Sequence, residues 1–158
     1  MKIIRFFYKK QIRFGILEND IINEIKFENE FSNIIPIGIK IKYDKTIKLL
    51  PPVMPTKIAA VGLNYRDHAA ELKMNQPEKP VLFLKPATSV IGHNDYIILP
   101  ESSSKVDYEA ELGIIIKKQC YRLKPGQVKK YILGYTCAND VTARDLQKLD
   151  GQWTRAKS

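Results

Sequence analysis

The residues of this chain best suited to chemistry lie in Val106-Asp107-Tyr108-Glu109-Ala110-Glu111-Leu112-Gly113-Ile114-Ile115-Ile116. The stretch otherwise reads as a buried strand, and successive strand side chains alternate faces. Glu109 and Glu111 therefore point the same way, beside Asp107. Like charges held that close repel, and apolar surroundings raise the cost of ionising them. A hard divalent cation removes that cost, and Mg²⁺ prefers one or two carboxylates plus water or substrate oxygens. Two readings stand: half of a metal site, or a solvated strand face.

Three further patches carry similar groups. In Gly62-Leu63-Asn64-Tyr65-Arg66-Asp67-His68-Ala69-Ala70-Glu71, a helical turn would put His68 and Glu71 on one face. The carboxylate would orient the imidazole, and the pair could take a proton from water or from a carbon beside a carbonyl; the alternative is a surface pair. His93 reads as a turn residue. Phe83-Leu84-Lys85-Pro86 puts a lysine at a strand end. There Lys85 is either a substrate-side group delivered to a pocket or a side chain leaving the core. In Asn139-Asp140-Val141-Thr142-Ala143-Arg144-Asp145-Leu146-Gln147, Asp140 follows an apolar strand and could complete a three-carboxylate metal site. Arg144 and Gln147 are spaced to share one face of the next turn, where the arginine could grip a substrate carboxylate.

The elements that must hold these groups are mostly strands. Ile3–Phe7, Gln11–Leu17 and Ile21–Ile25 are short β-branched or aromatic runs separated by turns at Tyr8-Lys9-Lys10 and Glu18-Asn19-Asp20, which predicts a meander. Pro51, Pro52 and Pro55 mark a linker over 51–56. Beyond it, strands are expected at Lys57–Gly62, Val81–Leu84, Tyr96–Leu99 and Ile132–Cys137. A short helix is expected at Asp67–Met74, and one or two helical turns at Pro125–Tyr131. No apolar run approaches the ~20 residues that span a bilayer. Cys120 and Cys137 form no close pairing motif, which argues for a reduced, cytoplasmic protein without a disulfide framework. The net charge of +9 raises the question of nucleic acid, but the basic residues are scattered and form no tract interleaved with aromatics. Attraction of an anionic small substrate is the better use of that charge.

Taken together, the patches resemble the fumarylacetoacetate hydrolase family. The matching text is Lys57-Ile58, Val61-Gly62-Leu63-Asn64-Tyr65, His68 with Glu71, and Phe83-Leu84-Lys85-Pro86. It continues through Asp107-Tyr108-Glu109-Ala110-Glu111-Leu112, Asn139 to Asp145, and Trp153-Thr154-Arg155-Ala156-Lys157-Ser158. The resemblance implies a mixed, β-rich α+β fold: a partial family-type mixed β-fold over 57–158, preceded by a small β-rich N-terminal domain over 1–50. It implies Glu109, Glu111 and Asp140 as Mg²⁺ (or Mn²⁺) ligands and His68 with Glu71 as the acid/base dyad. Lys157 would stabilise an enolate or carboxylate, and Arg144 and Gln147 would contact substrate. The implied substrates are 2-oxo or 2,4-dioxo acids, undergoing acylpyruvate hydrolysis, decarboxylation, hydroxydienoate isomerisation or oxaloacetate tautomerisation. The metal would neutralise enolate charge in each case. A complete member is expected to continue past Ser158 and to form a homodimer, with no nucleic-acid or membrane partner. The alternative expectations are a weak or inactive remnant of such an enzyme and a basic binding module.

Overall fold

The computed structural model describes residues 1–29, 31, 33–65 and 77–158. In chain order its strands begin with β1 (Ile3–Tyr8), β2 (Gln11–Glu18), β3 (Ile21–Glu28), β4 (Asn33–Lys42) and β5 (Lys48–Leu50). They continue with β6 (Ile58–Gly62), β7 (Val81–Lys85), β8 (Val106–Asp107), β9 (Ala110–Ile116), β10 (Ile132–Asn139) and β11 (Thr142–Ala143). Two short helices follow, α1 (Arg144–Asp150) and α2 (Trp153–Ala156). The fold is a sheet-dominated α+β fold. Its residues group into two compact units, the first Met1–Val53, Ile91–Tyr96 and Ala110–Ala138, the second Met54–Val90, Ile97–Glu109 and Asn139–Ser158.

In the first unit, alternation builds a five-stranded antiparallel sheet in the order β4-β3-β2-β1-β5. Ile4 and Phe6 of β1, Ile22 of β3, Ile41 of β4 and Ile47 form its core, with Tyr8, Leu17, Tyr43 and Leu49 packed against them. The opposite face carries Phe14, Phe27 and Phe31 in edge-to-face contact. The turns at Lys9-Lys10 (φ 47° and 63°) and Asn19-Asp20 (φ 48° and 61°) hold both central residues at positive φ. That backbone matches the right-handed twist of the flanking strands. β9 pairs with β10 in this same unit.

In the second unit β6 pairs antiparallel with β7, from Ile58↔Lys85 to Gly62↔Val81. β8 pairs antiparallel with β11. Gly62 is required by close approach, because a Cβ there would lie 2.2 Å from the Trp153 ring. A smaller core joins Ala143, Leu146 and Ala156 to Val106.

Three expectations are corrected. The segment 106–116 is not one continuous strand, for β8 and β9 pair with different partners and the ladder breaks at Tyr108-Glu109. β9 is not buried on both faces either; Leu112, Ile114 and Ile116 are exposed, as a two-stranded sheet allows. Tyr96–Leu99 has strand-forming residues but pairs with no strand among the described residues, and Tyr96 and Ile98 stand in solvent. The strand β4 went unread because Pro36 and Gly38 interrupt it. An edge position tolerates a proline that cannot donate to a ladder, and β4 is an edge. The expected helix at 67–74 lies outside the described residues. Among those described, no helix is long and apolar enough to cross a membrane.

Phe6 is fully buried while its neighbour Phe7 is 44% exposed. Phe6→Ala should therefore cost about 3–5 kcal/mol of folding stability in urea denaturation, and Phe7→Ala much less. Equal losses would place the core on the wrong face of β1.

Candidate active site

The second unit brings residues 105–109 alongside residues 139–144. Thr142 pairs with Asp107 and Ala143 with Val106. The Asp140 N–H donates to the Glu109 carbonyl at 2.8 Å, and the Arg144 N–H to the Lys105 carbonyl at 2.8 Å. The Asn139 side-chain oxygen accepts from the Glu109 N–H at 3.0 Å. Thr142 is fully buried, and its hydroxyl donates to the Asp140 carbonyl at 2.8 Å. These bonds fix where the carboxylates of Asp107, Glu109 and Asp140 emerge.

The carboxylates then alternate with cations. Asp107 accepts from Arg144 Nε at 2.9 Å, and Arg144 Nη1 reaches Glu109 at 2.7 Å. The other oxygen of Glu109 meets Lys157 Nζ at 2.6 Å, and Lys157 Nζ also donates to Asp140 Oδ2 at 2.9 Å. Asp140 Oδ1 accepts from Lys85 Nζ at 2.5 Å. Arg144 Nη1 donates in addition to Gln147 Oε1 at 3.1 Å, one turn along α1. The Lys157 side chain is only 3% exposed, so its charge is tolerable only with both carboxylates in place.

One face of β7 supports this arrangement. Phe83 and Lys85, two apart on a strand, point the same way. The Phe83 ring packs edge-on against Trp153 and lies under the Lys157 ammonium, 5.2 Å from ring centre to Nζ. Lys85 reaches past it to Asp140.

Of the residues expected to do chemistry, Glu109, Asp140, Lys157, Arg144, Gln147 and Lys85 are brought together in the second unit. Glu111 lies on β9, in the first unit. His68 and Glu71 lie outside the described residues. Among the described residues, no group of three or more His, Cys, Asp or Glu side chains is drawn close enough to hold a metal ion. The point on which Glu109 and Asp140 converge is taken by Lys157 Nζ.

Burial works against the charge of Arg144, but the hydrogen bond to Asp107 and the field of Glu109 outweigh it and raise its pKa. Two roles were missed in the sequence. Asp107 serves as a partner of Arg144, although it had stood out only as a neighbour of the paired glutamates. Asp145 ties the 103–104 loop to the first turn of α1, accepting from the Ser103 hydroxyl at 2.5 Å, the Ser104 N–H at 2.8 Å and the Leu146 N–H at 2.9 Å. A serine cluster ahead of an acidic helix start was the available signal, but nothing local joins two segments forty residues apart.

Comparison with known proteins gives a consistent result. A family model described as fumarylacetoacetate (FAA) hydrolase C-terminal matches residues 57–158, and one described as Rv2993c-like, N-terminal matches residues 1–52. An uncharacterised protein of Archaeoglobus fulgidus is 63% identical over 112 residues, covering 71% of this chain and 45% of that protein. A Rattus norvegicus protein named oxaloacetate tautomerase Fahd2a, mitochondrial, is 41% identical over 111 residues, covering 70% of this chain and 36% of that protein. The crystal structure of 5-carboxymethyl-2-hydroxymuconate delta-isomerase from Mycobacterium smegmatis superposes with a TM-score of 0.87 at 38% identity, over 100% of this chain and 62% of that one. The chain spans less than half the length of the two relatives.

The Ser103 hydroxyl and then the Ser104 N–H hold the Asp145 carboxyl well below its ordinary value of 3.8. A depressed folded value means that the stability from this carboxylate is complete above 3.8 and is lost as pH falls through the folded value. In chemical denaturation, Asp145→Asn should be less stable than the parent by a constant margin above about pH 5, and the margin should shrink below the ordinary carboxylate value. A margin that is independent of pH down to acid unfolding would show that the charge of Asp145 contributes nothing.

Proposed function

The chain belongs to the fumarylacetoacetate hydrolase family, and on that premise we propose that it acts on a small anionic 2-oxo or 2,4-dioxo acid with the help of Mg²⁺ or Mn²⁺. The reaction favoured is movement of a proton beside a carbonyl, as in tautomerisation or isomerisation, because both functionally named relatives are described by such reactions. Hydrolysis and decarboxylation of such acids draw on the same enolate logic. The observation that carries the proposal is the convergence of Glu109 and Asp140 on one buried cationic point, beside an arginine fixed by Asp107.

The donor set suits a hard divalent cation, being carboxylate oxygens delivered from two chain segments to one point. Glu109 and Asp140 would hold it, with Glu111 as the third donor by its place in the sequence, and Lys157 would yield that point. Bound there, the cation would supply neutralisation of negative charge developing on the oxygens of the oxo-acid. Arg144 has its Nε on Asp107 and its Nη1 on Glu109 and Gln147. Its remaining guanidinium nitrogen would meet a substrate carboxylate, with Gln147 keeping the guanidinium plane in place. The ammonium of Lys157 stabilises developing negative charge at the oxo-acid end. His68 with Glu71 would serve as the acid/base pair that takes and returns the proton.

Thermal melts with and without Mg²⁺ plus oxalate, followed by turnover of an oxo-acid panel, test the proposal. At ~100 times its dissociation constant a ligand should add roughly 2.7 kcal/mol of stability. Glu109→Gln with Asp140→Asn should abolish the Mg²⁺-dependent rise. His68→Ala should keep the rise but lose about 10²–10⁴-fold in turnover. A parent chain whose melt ignores Mg²⁺ would sink the metal reading, and an active His68→Ala would sink the dyad.

A further inference from the structure

Lys85 is the one charged group at the site that the proposed chemistry leaves without a task. Its ammonium has three N–H donors. Three acceptors surround it: Asp140 Oδ1 at 2.5 Å, the Val141 carbonyl at 3.4 Å, and the backbone carbonyl of Lys157 in a very short contact. Its side chain is 13% exposed. A lysine so engaged has no donor left for a substrate. We propose that Lys85 is a positioning residue, which locks the Asp140 carboxylate and the end of α2 into one geometry. This rests on the functional reading above for the importance of Asp140 and Lys157, but the role itself follows from contacts alone.

By taking Oδ1, Lys85 fixes the rotation of the Asp140 carboxylate and leaves Oδ2 turned toward Lys157 and Glu109. By taking the Lys157 carbonyl, it anchors the backbone that carries the second ammonium. It also supplies a second positive charge to Asp140, so that Lys157 is shared between two carboxylates without leaving either short of a partner. Two residues back on the same face, Phe83 packs under Lys157 Nζ, so one strand controls the position of that side chain from two sides. Groups that orient a metal-binding carboxylate by hydrogen bonds typically contribute 10–100-fold to metal affinity.

Lysine labelling of the intact chain with acetic anhydride, mapped by mass spectrometry, tests this without any metal. In the parent chain Lys85 and Lys157 should be modified far more slowly than exposed Lys45. Lys85→Met, which keeps the stem and removes the donors, should speed labelling of Lys157 several-fold, and Lys85→Arg should restore part of the protection. Calorimetry with Mg²⁺ alone should show about 10–100-fold weaker binding in Lys85→Met. Parent Lys85 labelled as fast as Lys45 would overturn the proposal even if no variant folds. So would a folded Lys85→Met chain with Lys157 still protected and Mg²⁺ affinity unchanged. A parent chain that fails to bind Mg²⁺ counts against the functional reading above, while the labelling still decides the role of Lys85.

Discussion

The second unit of this protein is organised by a chain of six alternating charges running Asp107, Arg144, Glu109, Lys157, Asp140, Lys85. Three carboxylates and three cations balance, and the balance is what allows Lys157, Asp140 and Lys85 to sit at low exposure. An unpaired ammonium with the burial of Lys157 would cost several kcal/mol, and removing either carboxylate would expose that cost. The surrounding elements can be read as devices that keep each charge opposite its partner.

Those devices are short. β8 and β11 are two residues each, yet they set the register that puts Glu109 beside Asp140. α1 needs only its first turn to place Arg144 against Asp107 and Gln147. α2 is a single turn, held by Trp153 against Gly62 and Phe83, and the Lys157 carbonyl just past its end is held by Lys85. Precision comes from hydrogen bonds and close packing at these few points rather than from long regular elements.

Much of the fold was legible in the residues. The first three strands follow from alternating β-branched and aromatic residues, and the turns between them lie where expected, shortened to two residues because Tyr8 and Glu18 join the strands. β6, β7 and β10 fall where apolar runs end at glycine, proline or polar clusters. The misreadings share one cause. Local pattern reports a tendency to be extended, while a strand exists only if a partner backbone is presented to it. Tyr96–Leu99 has the tendency and no partner, β4 has a proline and a partner, and 106–116 has two different partners and so becomes two strands.

The types and spacing of the site residues were set by the sequence itself: Glu109 with Glu111, Asp140 near Arg144 and Gln147, and Lys85 two positions after Phe83. Those features depend on neighbours within a few positions. Only tertiary structure decided which charge faces which, for Lys85 and Asp140 lie 55 residues apart, and Lys157 and Glu109 48 apart. It set Lys85 against Asp140, and it gave Asp107 and Asp145 partners that no local pattern names. The physical reason is that an ion pair depends on distance and burial, and both are fixed only when separate segments pack.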